Sequence, residues 1–270
     1  MVRLNGQQSP ALRVATSRLL VIPFAVSAAW VLEIFLFGGT VSAFTRFNPS
    51  GIFLYTIIAC IFTGIVAPLV CLRAAFLSGA VNMFQIGFRS LRRTLLTGFL
   101  TCVGIYGVVI VFNPFGTDRF AFANAFVLLL PTAIASVMTC WVLVGTHVQA
   151  FVRSGGALIS LSVGISTTTV LYCVAMVSSV PYTVDQSFFF ATVSLGIIAS
   201  FFFFAVRDIY AASLFVGAGS VFCMAERIDP LYLQNGGAVV RICSVLAVCT
   251  LIVIHWYLSR NFVTVKIPLN

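Results

Sequence analysis

Seven long apolar runs, joined by short polar connections, restrict the fold of this chain more than any other feature. The runs cover residues 19–44, 52–72, 94–112, 121–148, 156–180, 187–225 and 239–258. A membrane-spanning helix needs about 20 predominantly apolar residues. Because lipid offers the backbone no hydrogen bonds, a spanning segment has to satisfy its own, as an α-helix does. The pattern therefore predicts an all-α polytopic transmembrane helix bundle.

Composition leaves no room for a soluble domain beside this bundle. Of the 270 residues, 61% are hydrophobic and only 8% are charged, whereas soluble domains are about 25% charged. We therefore interpret residues 1–270 as a single transmembrane domain. We expect residues 1–18 to be a basic N-terminal flank and residues 74–90 to be an interfacial connection, with a helix lying in the membrane surface.

The run at 187–225 leaves two possible numbers of spans. It is too long for one perpendicular span, and Arg207 and Asp208 lie in its middle. One long helix gives seven spans, which is the preferred prediction, and puts the termini on opposite sides. A turn at Arg207 and Asp208 gives eight spans, which is the alternative, and puts the termini on one side. Under the positive-inside rule the basic residues divide ten to four for seven spans, with Arg207 in the membrane, and eleven to four for eight. Both divisions place the N-terminus inside, so the rule does not distinguish seven spans from eight.

The formal net charge of +9 does not indicate a nucleic-acid-binding surface. Such surfaces cluster basic residues on one face, whereas the arginines here flank apolar runs, as in membrane proteins.

The eight cysteines are scattered through the apolar runs, with no Cys-x-x-Cys pair and no metal-ligand spacing. We interpret them as small packing residues. Neither a metal site nor a disulfide framework is expected.

Two acids, Glu33 and Asp208, fall inside predicted spans, and an intramembrane acid is by default a functional hypothesis. Arg207 offers Asp208 local charge balance. Adjacent residues do not face each other on a helix, so the partner of Asp208 should come from another helix. A structural ion pair is the favoured interpretation for Asp208, and a proton or ion path is the alternative. For Glu33 we favour a structural acid.

The two histidines, His147 and His255, do not predict a haem site. A bis-histidine haem needs both at one membrane depth, and only the eight-span arrangement puts them on the same side. The chain also has no Gly-rich phosphate loop, no G-x-S-x-G elbow and no H-E-x-x-H motif. With no catalytic residues of its own, the chain is best interpreted as a subunit of a larger complex. A channel or a small transporter is the second class.

A series of short motifs, read in order, resembles subunit III of cytochrome c oxidase, a seven-helix core subunit of the haem-copper oxidases. The motifs are the Leu72-Arg73 end of the second span, the Leu91-Arg92 start of the third, the Asn113-Pro114 turn, Asn124 with Val127-Leu128-Leu129, the turn at Pro181-Tyr182-Thr183-Val184-Asp185, the segment Phe189-Phe190-Ala191-Thr192, and the aromatic end His255-Trp256-Tyr257. The resemblance extends over roughly residues 10–258. Each motif is short and made of residues common in membranes.

The resemblance implies a function for the whole chain. It implies a non-catalytic core subunit of a respiratory terminal oxidase, in the mitochondrial inner membrane, divided into helices 1–2 and helices 3–7 with a long sixth helix. The chain would bind no haem or copper itself, because these belong to the catalytic partner subunit. It would stabilise that subunit and other membrane partners, would not occur as a free monomer, and would hold phospholipid. Arg73 is the candidate for the lipid headgroup, or simply a positive-inside flank.

Three positions depart from the family pattern. The carboxylate of the third span falls on Cys102, the His-Gly pair of the sixth helix becomes Leu195-Gly196, and the histidine of the last span falls on Arg241. The chain would thus be a highly divergent member without that carboxylate. The competing hypothesis is a cation leak channel of the Bax-inhibitor type, in which Asp208 carries the conduction.

Overall fold

The computed structural model describes residues 10–37, 49–77, 86–112, 119–179, 184–225, 228 and 237–261, and these residues form helices and connections without any strand. Eight helices follow one another in this described part of the chain. They are α1 (Pro10–Leu36), α2 (residues 49–77), α3 (Leu91–Phe112), α4 (residues 119–155), α5 (Ala157–Ser179), α6 (Gln186–Val206), α7 (Ile209–Met224) and α8 (Gly237–Asn261).

Helices α2 and α4 each contain a π-helical stretch near the middle. The segments of α2 are Pro49–Tyr55, the π-helical Thr56–Val66, and Ala67–Leu77. Those of α4 are Arg119–Ser136, the π-helical Val137–Gly145, Thr146–Val152 and a 3₁₀ turn at Arg153–Gly155. π-Helical turns are rare and usually short, so two stretches in adjacent helices indicate unusually specific packing.

The two π-helical stretches pack directly on each other. The Thr139 hydroxyl of α4 donates to the Gly64 carbonyl oxygen of α2 at 3.2 Å. A Cβ atom at Gly64 would lie 2.4 Å from the Ala135 Cβ, so only glycine lets the helices approach this closely. Small residues at helix contacts are the usual basis of packing in membranes, where no hydrophobic force drives association.

Side-chain hydrogen bonds connect α4 to α5, α6 and α7 inside the bundle. The Trp141 Nε1 donates to the Ser200 hydroxyl at 2.9 Å, and Ser200 shares a 2.9 Å hydrogen bond with Thr168. The Trp141 ring contacts Tyr172, whose hydroxyl shares a hydrogen bond with Ser220 at 3.2 Å. All five side chains are buried. These buried contacts connect α4, directly or through Tyr172, to three other helices. Helix α4 is therefore the central helix of the bundle.

Helices α6 and α7 form an antiparallel hairpin. Phe202 stacks on Phe215 with ring centroids 4.9 Å apart, and Gly219 faces Leu195 so closely that a Cβ atom would lie 2.3 Å from a Leu195 methyl. Both pairs are nearly symmetric about residues 207 and 208. The prediction of one continuous helix over 187–225 is therefore wrong. The chain reverses at Arg207 and Asp208, as in the alternative.

The described helices alternate in direction, so the end that holds the α6–α7 turn also holds the start of α3 and the end of α8. Three contacts show this: Ile209 with Gly87, Arg89 with Arg207, and Tyr210 with His255. Six helices are long and apolar enough to cross a membrane, while Leu20–Leu36 and Ile209–Met224 are shorter apolar helices. The chain is thus a multi-pass membrane protein. The seven-span count is not confirmed.

The helix set apart from the bundle is α3. None of its most apolar 18-residue stretch is buried, whereas half of the corresponding stretch of α2 is buried. Helices α1 and α2 pack directly against α4, and α1 also packs against α5. The expected division into helices 1–2 and helices 3–7 is therefore not confirmed.

Candidate functional site

Asp208 lies fully buried at the start of α7, with both carboxylate oxygens hydrogen-bonded. Its Oδ1 accepts the Ala211 backbone N–H at 3.1 Å, which makes Asp208 the N-cap of α7. Its Oδ2 accepts the hydroxyls of Thr94 and Thr97, both on α3, at 3.0 and 3.1 Å. An N-cap carboxylate satisfies an unpaired N–H and interacts favourably with the helix dipole. The buried acid thus connects α7 to α3.

Arg207 makes the reversal between α6 and α7. Its φ of 52° lies in the left-handed region, which is costly for any residue with a Cβ. Its N–H donates to the Phe203 carbonyl oxygen at 2.7 Å, as at a helix C-terminus. Its guanidinium lies 4.9 Å from the Phe204 ring centroid and donates to the Gln149 side-chain oxygen of α4. Contacts within α6 and with α4 therefore hold the strained residue in place.

The segment before α3 closes the same end of the bundle. The Gly87 carbonyl oxygen accepts the Ile209 N–H at 3.2 Å, and the Arg89 Nε donates to the Arg207 carbonyl oxygen at 3.0 Å. Gly87 has a φ of 102°, and a Cβ there would lie 3.3 Å from the Arg207 backbone. Six residues now define what we call the Asp208 cluster: Arg89, Thr94, Thr97, Gln149, Arg207 and Asp208.

The interfacial helix expected over 74–90 stays a prediction, since the central residues of that segment lie outside the described residues. The chain is helical to Leu77, residues 78–85 lie outside the described residues, and residues 86–90 form no continuous helix. Ile86 and Phe88 are buried. Their apolar side chains enter the end of the bundle, where Phe88 contacts the His255 ring.

The two histidines have separate partners. His255 Nδ1 shares a 3.0 Å hydrogen bond with the Tyr210 hydroxyl. His147 is buried in α4, and its Nδ1 lies 2.6 Å from the Leu143 carbonyl oxygen of the same helix. Within the described residues no group of three or more His, Cys, Asp or Glu side chains lies close enough to hold a metal ion.

Glu33, the other intramembrane candidate, faces α2. Its Oε1 accepts the Thr63 hydroxyl, from the π-helical stretch, at 3.0 Å. Its Oε2 and the Trp30 Nε1, one turn earlier on α1, are buried polar atoms without a hydrogen-bond partner among the described residues. Glu33 therefore attaches α1 to α2 through one oxygen. It lies in a different helix pair from the Asp208 cluster.

The other residues singled out in the sequence lie apart from the cluster or at the surface. Arg73 is exposed near the end of α2. Cys102, at the position of the family carboxylate, is exposed on α3, and the eight cysteines are all free thiols. The lipid role of Arg73 stays a prediction.

Sequence reasoning found Asp208 and Arg207 but missed their partners. Thr94, Thr97 and Thr101 follow one another at spacings of three and four residues, which places them on one face of α3. That hydroxyl stripe was the available signal for a partner of an acid on another helix. Gln149 and Gly87 carried no comparable signal, because their contacts depend on where the chain reverses.

Compared with protein-family models, with curated proteins and with solved structures, the chain matches none of them. The likeness to oxidase subunit III consequently depends on the motifs of the sequence alone.

Proposed function

We propose that this chain is a non-catalytic membrane subunit of a larger complex, and that the complex is a respiratory terminal oxidase of the mitochondrial inner membrane. In this function the chain stabilises the catalytic subunit, which carries the haem and copper, and binds phospholipid. No cofactor is assigned to this chain.

The use made of Asp208 supports the structural part of this proposal. Transport through an intramembrane acid requires a carboxylate that can exchange its partners. Asp208 is fully buried, and its oxygens accept one backbone N–H and two hydroxyls. A carboxylate with partners on both oxygens stabilises the junction of α3 with the α6–α7 hairpin. This is the behaviour of a structural acid.

The order of the motifs supports the oxidase part, from Leu72-Arg73 to His255-Trp256-Tyr257. The reversal at Arg207 departs from the long sixth helix of that family. A subunit of this kind would be a divergent member whose sixth helix is divided into two.

The proposal is tested by isolating the tagged full chain from its native membrane in mild detergent. We expect it to elute with a large haem-containing assembly that oxidises cytochrome c, and the haem spectrum should follow the tag through size-exclusion chromatography. The control is an unrelated tagged membrane protein carried through the same steps. Elution as a free monomer without haem would contradict the oxidase assignment.

The cation-channel alternative is separated by a second measurement. The purified chain is reconstituted into liposomes loaded with a cation-sensitive dye, beside Asp208→Asn, which keeps the size of the side chain and removes its charge. The proposal expects the same background flux from both. Flux through the unmodified chain that disappears in Asp208→Asn would replace the subunit by a channel.

A further inference from the structure

An apolar groove runs along α3, on the face that points toward the α6–α7 hairpin. Its volume is about 580 Å³. One wall consists of α3 side chains from Thr97 to Val108, and the other includes Phe202, Phe215 and Gly219 of the hairpin. Thr97 also donates to Asp208, so the Asp208 cluster closes one end of the groove. We call this feature the α3 groove.

The dimensions of the α3 groove restrict its occupant. From Thr97 to Val108, at 1.5 Å per residue, it is about 16 Å long, roughly half of the ~30 Å hydrocarbon core of a bilayer. A volume of about 580 Å³ over that length corresponds to a mean cross-section of about 35 Å². A single hydrocarbon chain from one leaflet matches that length and width.

The charge at one end restricts the headgroup. The residues of α3 that line the groove are spaced by three and four positions, and Arg93, four residues before Thr97, lies on the same stripe. Arg93 is exposed in the first turn of α3, where backbone N–H groups and the helix dipole also favour an anion. Burial, and after it the positive charge of Arg93, lowers the pKa of the neighbouring Arg89, while the charge of Asp208 raises it. A phosphate beside Arg93 offsets the repulsion between the two guanidinium groups.

We propose that the α3 groove binds one acyl chain of an anionic phospholipid, whose phosphate lies against Arg93. The planar guanidinium donates two parallel hydrogen bonds to phosphate oxygens, and the acyl chain fills the space between α3 and the hairpin. This site is separate from the one predicted at Arg73, and it does not depend on the oxidase assignment.

Two positions of α3 provide a pair of variants. Gly104 lines the groove, and a Cβ atom added there meets no atom within 4 Å. Tyr106, two residues further and therefore about 200° around the helix, is exposed on the opposite face. Leucine at either position should fold, since neither is held by close packing. Gly104→Leu places its side chain in the groove, and Tyr106→Leu changes the face that points away from it.

The test measures thermal unfolding of the full chain in mild detergent with phosphatidylglycerol, with phosphatidylcholine of the same acyl chains, or with inorganic phosphate. We expect phosphatidylglycerol to raise the unfolding temperature most and inorganic phosphate to have no effect. Gly104→Leu should lose the rise, and Tyr106→Leu should keep it. Equal responses of the two variants, or a rise with phosphate alone, would overturn the acyl-chain site.

The headgroup is tested with a second pair on the same turn. Arg93→Gln should lose about fivefold in preference for phosphatidylglycerol over phosphatidylcholine, the effect of about one basic residue at an anionic surface. Arg92→Gln, one position off the groove stripe, should keep the preference. An unchanged preference in Arg93→Gln would overturn the assignment of the phosphate.

A photoreactive amino acid at position 104 in the native membrane should label phospholipid, and labelling of a protein instead would overturn the proposal.

Discussion

Helices α3 and α4 have nearly the same mean hydropathy, yet they are opposites in packing. In the most apolar 18-residue stretch of each, 83% of α4 is buried and none of α3 is. Helix α4 is held by close contacts such as Gly64 on Ala135 and by the Trp141–Ser200 hydrogen bond. Helix α3 packs against α7 and is joined to it by two hydroxyl hydrogen bonds to Asp208. Hydropathy therefore indicates which segments enter the membrane but not which of them form its core.

Whether α3 and α4 both cross the bilayer can be tested by the location of the chain ends. If all eight described helices cross, epitope tags fused to the N- and C-termini should be accessible from the same side, an all-or-none result. Protease protection in sealed vesicles measures this. The control is a tag in the connection between α3 and α4, which should be accessible only from the other side. Termini on opposite sides would restore an odd number of spans.

Removal of the Asp208 carboxylate should break the attachment of α3. Asp208→Ala removes the cap of α7 and leaves the Thr94 and Thr97 hydroxyls without their acceptor. We expect a loss of about 2–4 kcal/mol in the free energy of unfolding, from the cap and the buried donors together. Unfolding in mixed detergent micelles containing dodecyl sulfate gives the value. Asp208→Asn, which keeps an acceptor oxygen, should lose less, and equal losses would mean that the charge matters more than the acceptor geometry.

A methyl group added at Gly64 of α2 and one added at Gly104 of α3 should have opposite effects on the free energy of unfolding. Gly64→Ala forces a Cβ atom to within 2.4 Å of the Ala135 Cβ, so we expect overpacking to cost about 1–3 kcal/mol. The same change in α3, Gly104→Ala, meets open space and should stabilise the helix by up to about 1 kcal/mol, since alanine is the better helix former. The two free energies of unfolding should change with opposite sign. A matching sign would contradict the contrast between the helices.

The smallest expected effect concerns the end of α8. Tyr210→Phe removes the hydroxyl that shares a 3.0 Å hydrogen bond with His255, and we expect a loss of about 0.5–1.5 kcal/mol. Tyr106→Phe on α3 is the control, because Tyr106 is largely exposed and its change should be near zero. A loss at position 106 as large as at 210 would indicate that α3 is covered by a partner.

The candidate site could be predicted only in part. Asp208 was identifiable from the sequence because a carboxylate in an apolar run has to find partners. That these are Thr94 and Thr97 could not be predicted, since their approach requires α7 to return beside α3. The motif likeness to the oxidase family favoured a long sixth helix. For this reason the turn at Arg207 and Asp208 was only the alternative prediction. Arg207 adopts a left-handed conformation that no local propensity favours, so the turn is a tertiary effect.

The sequence by itself determined that this protein is a helical bundle in a membrane, because apolar runs of spanning length leave the backbone no other way to satisfy its hydrogen bonds in lipid. The tertiary structure decided where the sixth run reverses, which helix is central and which residues donate hydrogen bonds to Asp208. These depend on contacts between distant residues, such as Arg207 with Gln149 and Gly64 with Ala135. Among helices of equal hydropathy, close packing and hydrogen bonds decide which helix is buried. Neither can be predicted from the sequence alone, because both depend on residues that are distant in the chain.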